Sequence, residues 1–125
     1  LTTRGAVGII NNSFDFNGVN NYVSDVYQIP YANFSQSLWI NLDTVSTTQT
    51  FYSARNTGDS NPVNDIKRDS TNQKIEFNLR DNGGGGLTQA ISTTIPLAGV
   101  WYNLVRTFNV HTGEMKLYIN VMPIL

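Results

Sequence analysis

Phe34-Ser35-Gln36-Ser37-Leu38-Trp39-Ile40-Asn41-Leu42 alternates without a break. In an extended chain successive side chains point to opposite faces. Leu38, Ile40 and Leu42 therefore share one face, and Ser35, Ser37, Trp39 and Asn41 share the other. One apolar face and one polar face is the pattern of an antiparallel sheet that covers a core on one side and meets water on the other. The pattern returns downstream. Ile75, Phe77 and Leu79 alternate with Glu76, Asn78 and Arg80, and Met115, Leu117 and Ile119 alternate with Lys116 and Tyr118. Tyr102, Leu104 and Phe108 read as inward by the same period. That period also turns Arg106 inward, so Arg106 marks either a register slip or a buried, paired charge. No stretch sustains helical periodicity, and the expectation is an all-β chain.

Turn chemistry separates the strands. Asn17-Gly18, Asn56-Thr57-Gly58-Asp59, Asp81-Asn82-Gly83 and His111-Thr112-Gly113-Glu114 combine Asn, Asp and Gly, which accept positive φ at low cost. Phe108-Asn109 to Met115-Lys116 reads as a hairpin closed through His111-Thr112-Gly113. The longest irregular stretch spans residues 56–72, and the second, residues 81–87, carries four consecutive glycines. Loops of this kind are where a rigid sandwich places its function.

Composition narrows the class. The 125 residues suffice for one domain, 1–125. Charged residues are 14% of the chain, below the roughly 25% of an average soluble domain. The polar surface is therefore built of Asn, Thr, Ser and Gln, which suits sugars or tight protein packing better than a polyanion. Eight basic residues are scattered under a net charge of −1, which argues against nucleic-acid binding. Cysteine is absent, excluding disulfides and thiolate metal sites. No apolar run approaches the roughly 20 residues of a membrane-spanning helix, so no membrane insertion is expected. Leu1 opens no signal segment, and Val121-Met122-Pro123-Ile124-Leu125 closes the sequence on an apolar run. The expectation is an excerpt of a longer protein, lacking its last strands, with a sheet edge open to a neighbouring chain.

Four phrases in fixed order carry a resemblance. They are Ser13-Phe14-Asp15-Phe16-Asn17-Gly18 with Asn21-Tyr22-Val23, then Ser37-Leu38-Trp39-Ile40, then Trp101-Tyr102-Asn103-Leu104-Val105, then Lys116-Leu117-Tyr118-Ile119-Asn120. Together they resemble the laminin-G-like members of the concanavalin A-like lectin/glucanase superfamily, whose wording runs F-D-G…D/N-Y-V, S-x-W-V, W-x-x-V-x-x-T-Y and L-Y-V-N-G. The resemblance implies a jelly-roll sandwich of two antiparallel sheets. It also implies packing roles for Trp39 and Trp101. It does not fix an activity, since the fold carries binding modules, hydrolases and structural domains alike.

The glucanases of that superfamily place their carboxylates on one strand as E-x-D-x-x-E, with acid and nucleophile about 5 Å apart for retaining hydrolysis. The only glutamates here, Glu76 and Glu114, fall in separate strands, and Glu76 reads as a solvated strand-face residue. His111 is the sole histidine and sits in a turn, too few ligands for zinc and badly placed for a triad. No enzyme is expected. Calcium is the metal the residues could hold, because many relatives bind it at a rim of the sandwich and hard oxygen ligands are what it requires. The candidates are Asp59, Asp65 and Asp81, with Asn61, Asn64, Asp69 and Asn82 nearby in sequence. A lectin-type site pairs an aromatic ring with amide and carboxylate groups, and Tyr52, Arg55, Asp81 and Asn82 are the residues expected to converge. The glycines of 83–86 would admit a ligand close to the backbone. The sequons Asn11-Asn12-Ser13 and Asn33-Phe34-Ser35 bear only on a eukaryotic secretory pathway.

The expected function is non-catalytic: a carbohydrate-binding or adhesion module of an extracellular or virion-surface protein, working through loops 56–72 and 81–87. Its partner would be a glycan or a cell-surface or virion protein. The alternative is a structural or assembly domain, as in a phage fibre, capsid decoration or surface layer, that forms a homo-oligomer through edge strands.

Overall fold

The alternating segments pair as two antiparallel sheets in the computed structural model, which describes residues 6–9, 12–25, 32–55, 63–81 and 86–121. The first sheet has three strands in the order β3 (Phe34–Asn41), β8 (Trp101–Asn109), β9 (Glu114–Val121). The second has four in the order β4 (Gln49–Ala54), β5 (Asn64–Arg68), β6 (Ile75–Arg80), β7 (Leu87–Ile91). A short pair, β1 (Ala6–Val7) and β2 (Asn12–Ser13), precedes them. No helix occurs among the described residues, so none there is long and apolar enough to cross a membrane.

The core lies between the two sheets. Ile40 and Leu42 from β3 and just beyond it, Tyr102 and Leu104 from β8, and Ile66 and Ile75 from β5 and β6 form one buried cluster. Leu38, Leu117, Ile119, Phe51 and Tyr52 pack against it. The faces expected from alternation are the faces found, with Leu38 opposite Leu104 and Ile40 opposite Tyr102 across the β3–β8 pair. The β8–β9 hairpin closes as expected, with Asn109 opposite Glu114 and Gly113 at φ 69°. The Tyr102 hydroxyl accepts the Leu97 N–H at 2.9 Å, tying the segment before β8 to the core.

Two expectations are corrected. Residues 56–72 are not one irregular stretch, because β5 occupies its second half and runs between β4 and β6. Ile66 is the only apolar residue of Asn64-Asp65-Ile66-Lys67-Arg68, so no apolar alternation was there to read. Its inward neighbours Asn64 and Arg68 are buried polar residues instead. Glu76 is not a solvated residue either. It is 5% exposed, 3.3 Å from the Lys67 ammonium, and it accepts a hydrogen bond from Asn72 Nδ2 at 2.6 Å.

Arg106 resolves in favour of burial. It is 0% exposed, and no carboxylate pairs with it among the described residues. Its Nε donates to Gln36 Oε1 at 2.8 Å, Nη2 donates to the same oxygen, and Nη1 donates to Asn64 Oδ1. Its guanidinium carbon lies 4.5 Å from the Phe77 ring centre, 4.8 Å from Tyr52 and 5.3 Å from Phe34. Cation–π attraction and neutral amide oxygens thus replace a counter-ion. Burial pushes the guanidinium down to about 10, with Tyr52 and Asp65 opposing that shift.

Candidate ligand-binding site

The Arg106 cluster also sets which strand ends meet. It joins Phe34 of the first sheet to Tyr52, Asn64 and Phe77 of the second. The start of β3, the end of β8 and the start of β9 therefore share a rim with the end of β4, the start of β5, the end of β6 and the start of β7. The expected loop end of the sandwich is this rim.

The expected ligand residues divide there. Arg55 follows β4 and Asp81 follows β6, with β5 between them, so their backbones sit about 10 Å apart at the rim. The Asp81 N–H donates to the Gly86 carbonyl at 3.2 Å. A Cβ on Gly86 would lie 3.2 Å from Asp81 Oδ2, so glycine lets the carboxylate settle against the returning strand. Tyr52 is not with them. Its register partner is Ile66, which turns it toward the core and under Arg106. Asn82, with the glycines of 83–85, lies outside the described residues, as does Asp59.

Asp65 faces the opposite way from Ile66, on the side of the four-stranded sheet turned away from the core, where it is nevertheless buried. There Asn78 Nδ2 donates to Asp65 Oδ2 at 3.0 Å, and Gln89 Nε2 donates to Asn78 Oδ1 at 2.8 Å. This ladder crosses three strands, with Asp65 4% and Asn78 1% exposed, and its groups are turned to one another rather than to a ligand. Beside it Lys67 meets both Asp69 and Glu76 at 3.3 Å. Burial alone would lower the Lys67 ammonium, but Glu76 and then Asp69 hold it above its ordinary value. As to calcium, no group of three or more His, Cys, Asp or Glu residues gathers among the described residues. Asp65 and Asp81 stand apart, the first bonded to Asn78 within the sheet and the second at the rim.

A concave site occurs on the same rim, on the side of the three-stranded sheet. A cavity of ≈ 380 Å³ is lined by Asn33, Phe34 and Ser35 at the start of β3, Thr107, Phe108 and Asn109 at the end of β8, and Glu114 at the start of β9. The lining is held in place by the hairpin. Asn33 Oδ1 accepts the Val110 N–H at 2.8 Å, and Asn109 Oδ1 accepts those of His111 and Thr112 at 2.9 and 3.3 Å. Glu114 sits 3.1 Å from Lys116 and, by that hydrogen bond, holds the ammonium above its ordinary value. Two amides, two hydroxyls and one carboxylate thus border one opening, while the Phe34 ring turns inward, 6.1 Å from Phe77 and 5.9 Å from Phe108. Alternation placed Ser35 on the wet face. It could not group Ser35 with Thr107 and Asn109, because the pairing of Ser35 with Thr107 is a matter of register between strands far apart in sequence.

A laminin G family model (Laminin_G_3), described as Concanavalin A-like lectin/glucanases superfamily, matches residues 17–122. The chain belongs to this family. The match covers both sheets and the rim, and it agrees with the resemblance carried by the four phrases. Laminin-G-like domains of this superfamily include carbohydrate-binding and adhesion modules, and their lectin-type fold is typically non-catalytic. No curated protein and no solved structure matches the chain.

Proposed function

We propose that this laminin-G-like domain is a non-catalytic carbohydrate-binding or adhesion module of an extracellular or virion-surface protein, and that its glycan site is the cavity between Asn33 and Glu114. The observation that carries the reading is the chemistry of that cavity. Amide and hydroxyl groups beside one carboxylate are what sugar hydroxyls require, and the volume falls in the range of small-ligand sites. Glu76 and Glu114 lie in different sheets, which supports a binding role over glycoside hydrolysis. Binding at one shallow site is weak, and repetition along a multimeric parent supplies the useful affinity.

A glycan-array screen with and without calcium tests the reading, with mass measured by light scattering on the same sample. Selective binding lost in Ser35→Ala with Thr107→Val, and kept in Asp81→Ala and Asn82→Ala, supports the cavity. The reverse pattern moves the site to the rim at Arg55 and Asp81, and a calcium requirement would be traced by substituting Asp59, Asp65 and Asp81 one at a time. The second reading, assembly with neighbouring chains, is favoured by the apolar residues Phe14, Phe16, Val19, Tyr22 and Val23, all exposed along one segment. A stable multimer with no glycan bound would support it.

A further inference from the structure

We propose that the outer face of the three-stranded sheet binds a straight, uncharged, β-linked polysaccharide chain that runs from the cavity along the face, past Tyr118 and toward Trp39. The proposal deepens the glycan reading of the cavity and rests on it.

The register assembles this face row by row from the cavity outward. Ser35, Thr107 and Lys116 form the first row, Ser37, Val105 and Tyr118 the second, and Trp39, Asn103 and Asn120 the third, with Asn41 and Trp101 beyond. Trp39 is 38% exposed and Tyr118 47%, although each sits on a strand whose other side packs into the core. They stand two strands and two residues apart, a backbone separation of about 12 Å. That is wider than one pyranose ring, so a single sugar cannot reach both rings and a chain can. Between them lie amides and hydroxyls already in position: Asn103 Nδ2 donates to Ser37 Oγ at 3.1 Å. Ring faces spaced by hydrogen-bonding groups match a sugar ribbon, which presents alternating apolar faces and hydroxyl edges.

Charge selects the class of chain. Lys116 is the only ionic group on these rows, and it pairs with Glu114 at the cavity. An anionic glycan finds no unneutralised cation here. A second copy of the chain fits less well, because protein interface cores concentrate contiguous apolar residues, whereas Ser37, Asn103 and Asn120 interrupt the apolar set of Trp39, Val105 and Tyr118. The outer face of the other sheet offers no equivalent, since Asp65, Asn78, Lys67 and Glu76 are bonded to one another there.

The test titrates the full chain with β-1,4-linked glucose, xylose and N-acetylglucosamine oligomers from monomer to hexamer, and with a heparin hexasaccharide. Calorimetry reads the long chains and saturation-transfer NMR the monomers. For at least one neutral series affinity should rise about tenfold or more with length. Trp39→Ala and Tyr118→Ala should each weaken hexamer binding by about tenfold and leave monomer binding unchanged. Trp39→Phe, which keeps a ring on the strand, should retain most of the length dependence, guarding against a folding effect. Equal affinity for monomer and hexamer, unmoved by either alanine variant, would overturn the chain-binding face and leave the cavity reading standing. Preference for heparin, or self-association abolished by Trp39→Ala, would also overturn it. No binding of any saccharide would remove both readings.

Discussion

Arg106 is buried beside two amide oxygens and three rings with no carboxylate in contact, so its worth depends on the groups that would be stranded without it. Arg106→Met relieves the desolvation of a cation but leaves Gln36 Oε1 and Asn64 Oδ1 without their donor. We expect it to destabilise the fold by about 2 to 4 kcal/mol in urea titrations. Adding Gln36→Leu should recover part of that loss, because an apolar pair costs less than an orphaned acceptor. The pH dependence has a definite sign. The folded guanidinium is lowered from its ordinary value to about 10, so below about pH 10 both states are charged and Arg106 adds no slope. Only above that does the folded state shed its proton first, so stability rises relative to Arg106→Met. Tyr102→Phe is a smaller test: it removes the acceptor of the Leu97 N–H and should cost about 1 kcal/mol. The sequence flagged Arg106 as the residue out of pattern. Its partners stayed hidden because Gln36 is 70 residues away and Asn64 is 42.

At the scale of the element, β5 is where pattern reading failed and polar contacts explain why the strand exists. Arg68 Nη1 donates to the Thr47 carbonyl at 3.0 Å, and Asn64 accepts from Arg106. Burial is therefore achieved by hydrogen bonds rather than by an apolar face, and periodicity detects only the latter. The inward faces of β3, β6, β8 and β9 were legible from apolar alternation, whereas those of β4 and β7 were not. The turn from β5 into β6 is held by Asp69, whose Oδ1 accepts the N–H groups of Thr71 at 2.8 Å and Asn72 at 3.3 Å. The Thr71 N–H is the largest cause that holds the Asp69 carboxyl below 3.8; burial opposes it, and Asn72 and Lys67 add to the lowering. A lowered carboxyl contributes stability that is present above pH 3.8 and is lost as pH falls through the folded value. The stability gap between the native chain and Asp69→Asn should hold at neutral pH and narrow below pH 3.8, as read from urea midpoints across that range. Lys67 works at the other extreme. Its raised ammonium adds stability that is complete below pH 10.5 and declines as pH rises through the higher folded value.

Across the whole molecule the two outer faces differ in kind, and that difference governs how binding should respond to salt. The four-stranded sheet ties its ionic groups into a network across its own strands. The three-stranded sheet presents amides, hydroxyls and aromatic rings with a single paired charge. The sequence disclosed the ingredients of the second face, since Trp39 already alternated with the core residues. The resemblance nevertheless assigned Trp39 a packing role, and only the exposed ring on the assembled sheet shows it available from outside. Two of the eight basic residues, Arg68 and Arg106, are buried, and Lys67 and Lys116 are paired with carboxylates, which reduces the cationic surface that could draw in a polyanion. Screening acts strongly only on separated exposed charges, with a Debye length of about 10 Å at 0.1 M salt. Affinity for a neutral glycan should therefore change by less than about twofold between roughly 0.05 and 0.5 M sodium chloride. A steep fall of affinity with salt in the same calorimetric series would instead mean that the ligand carries charge.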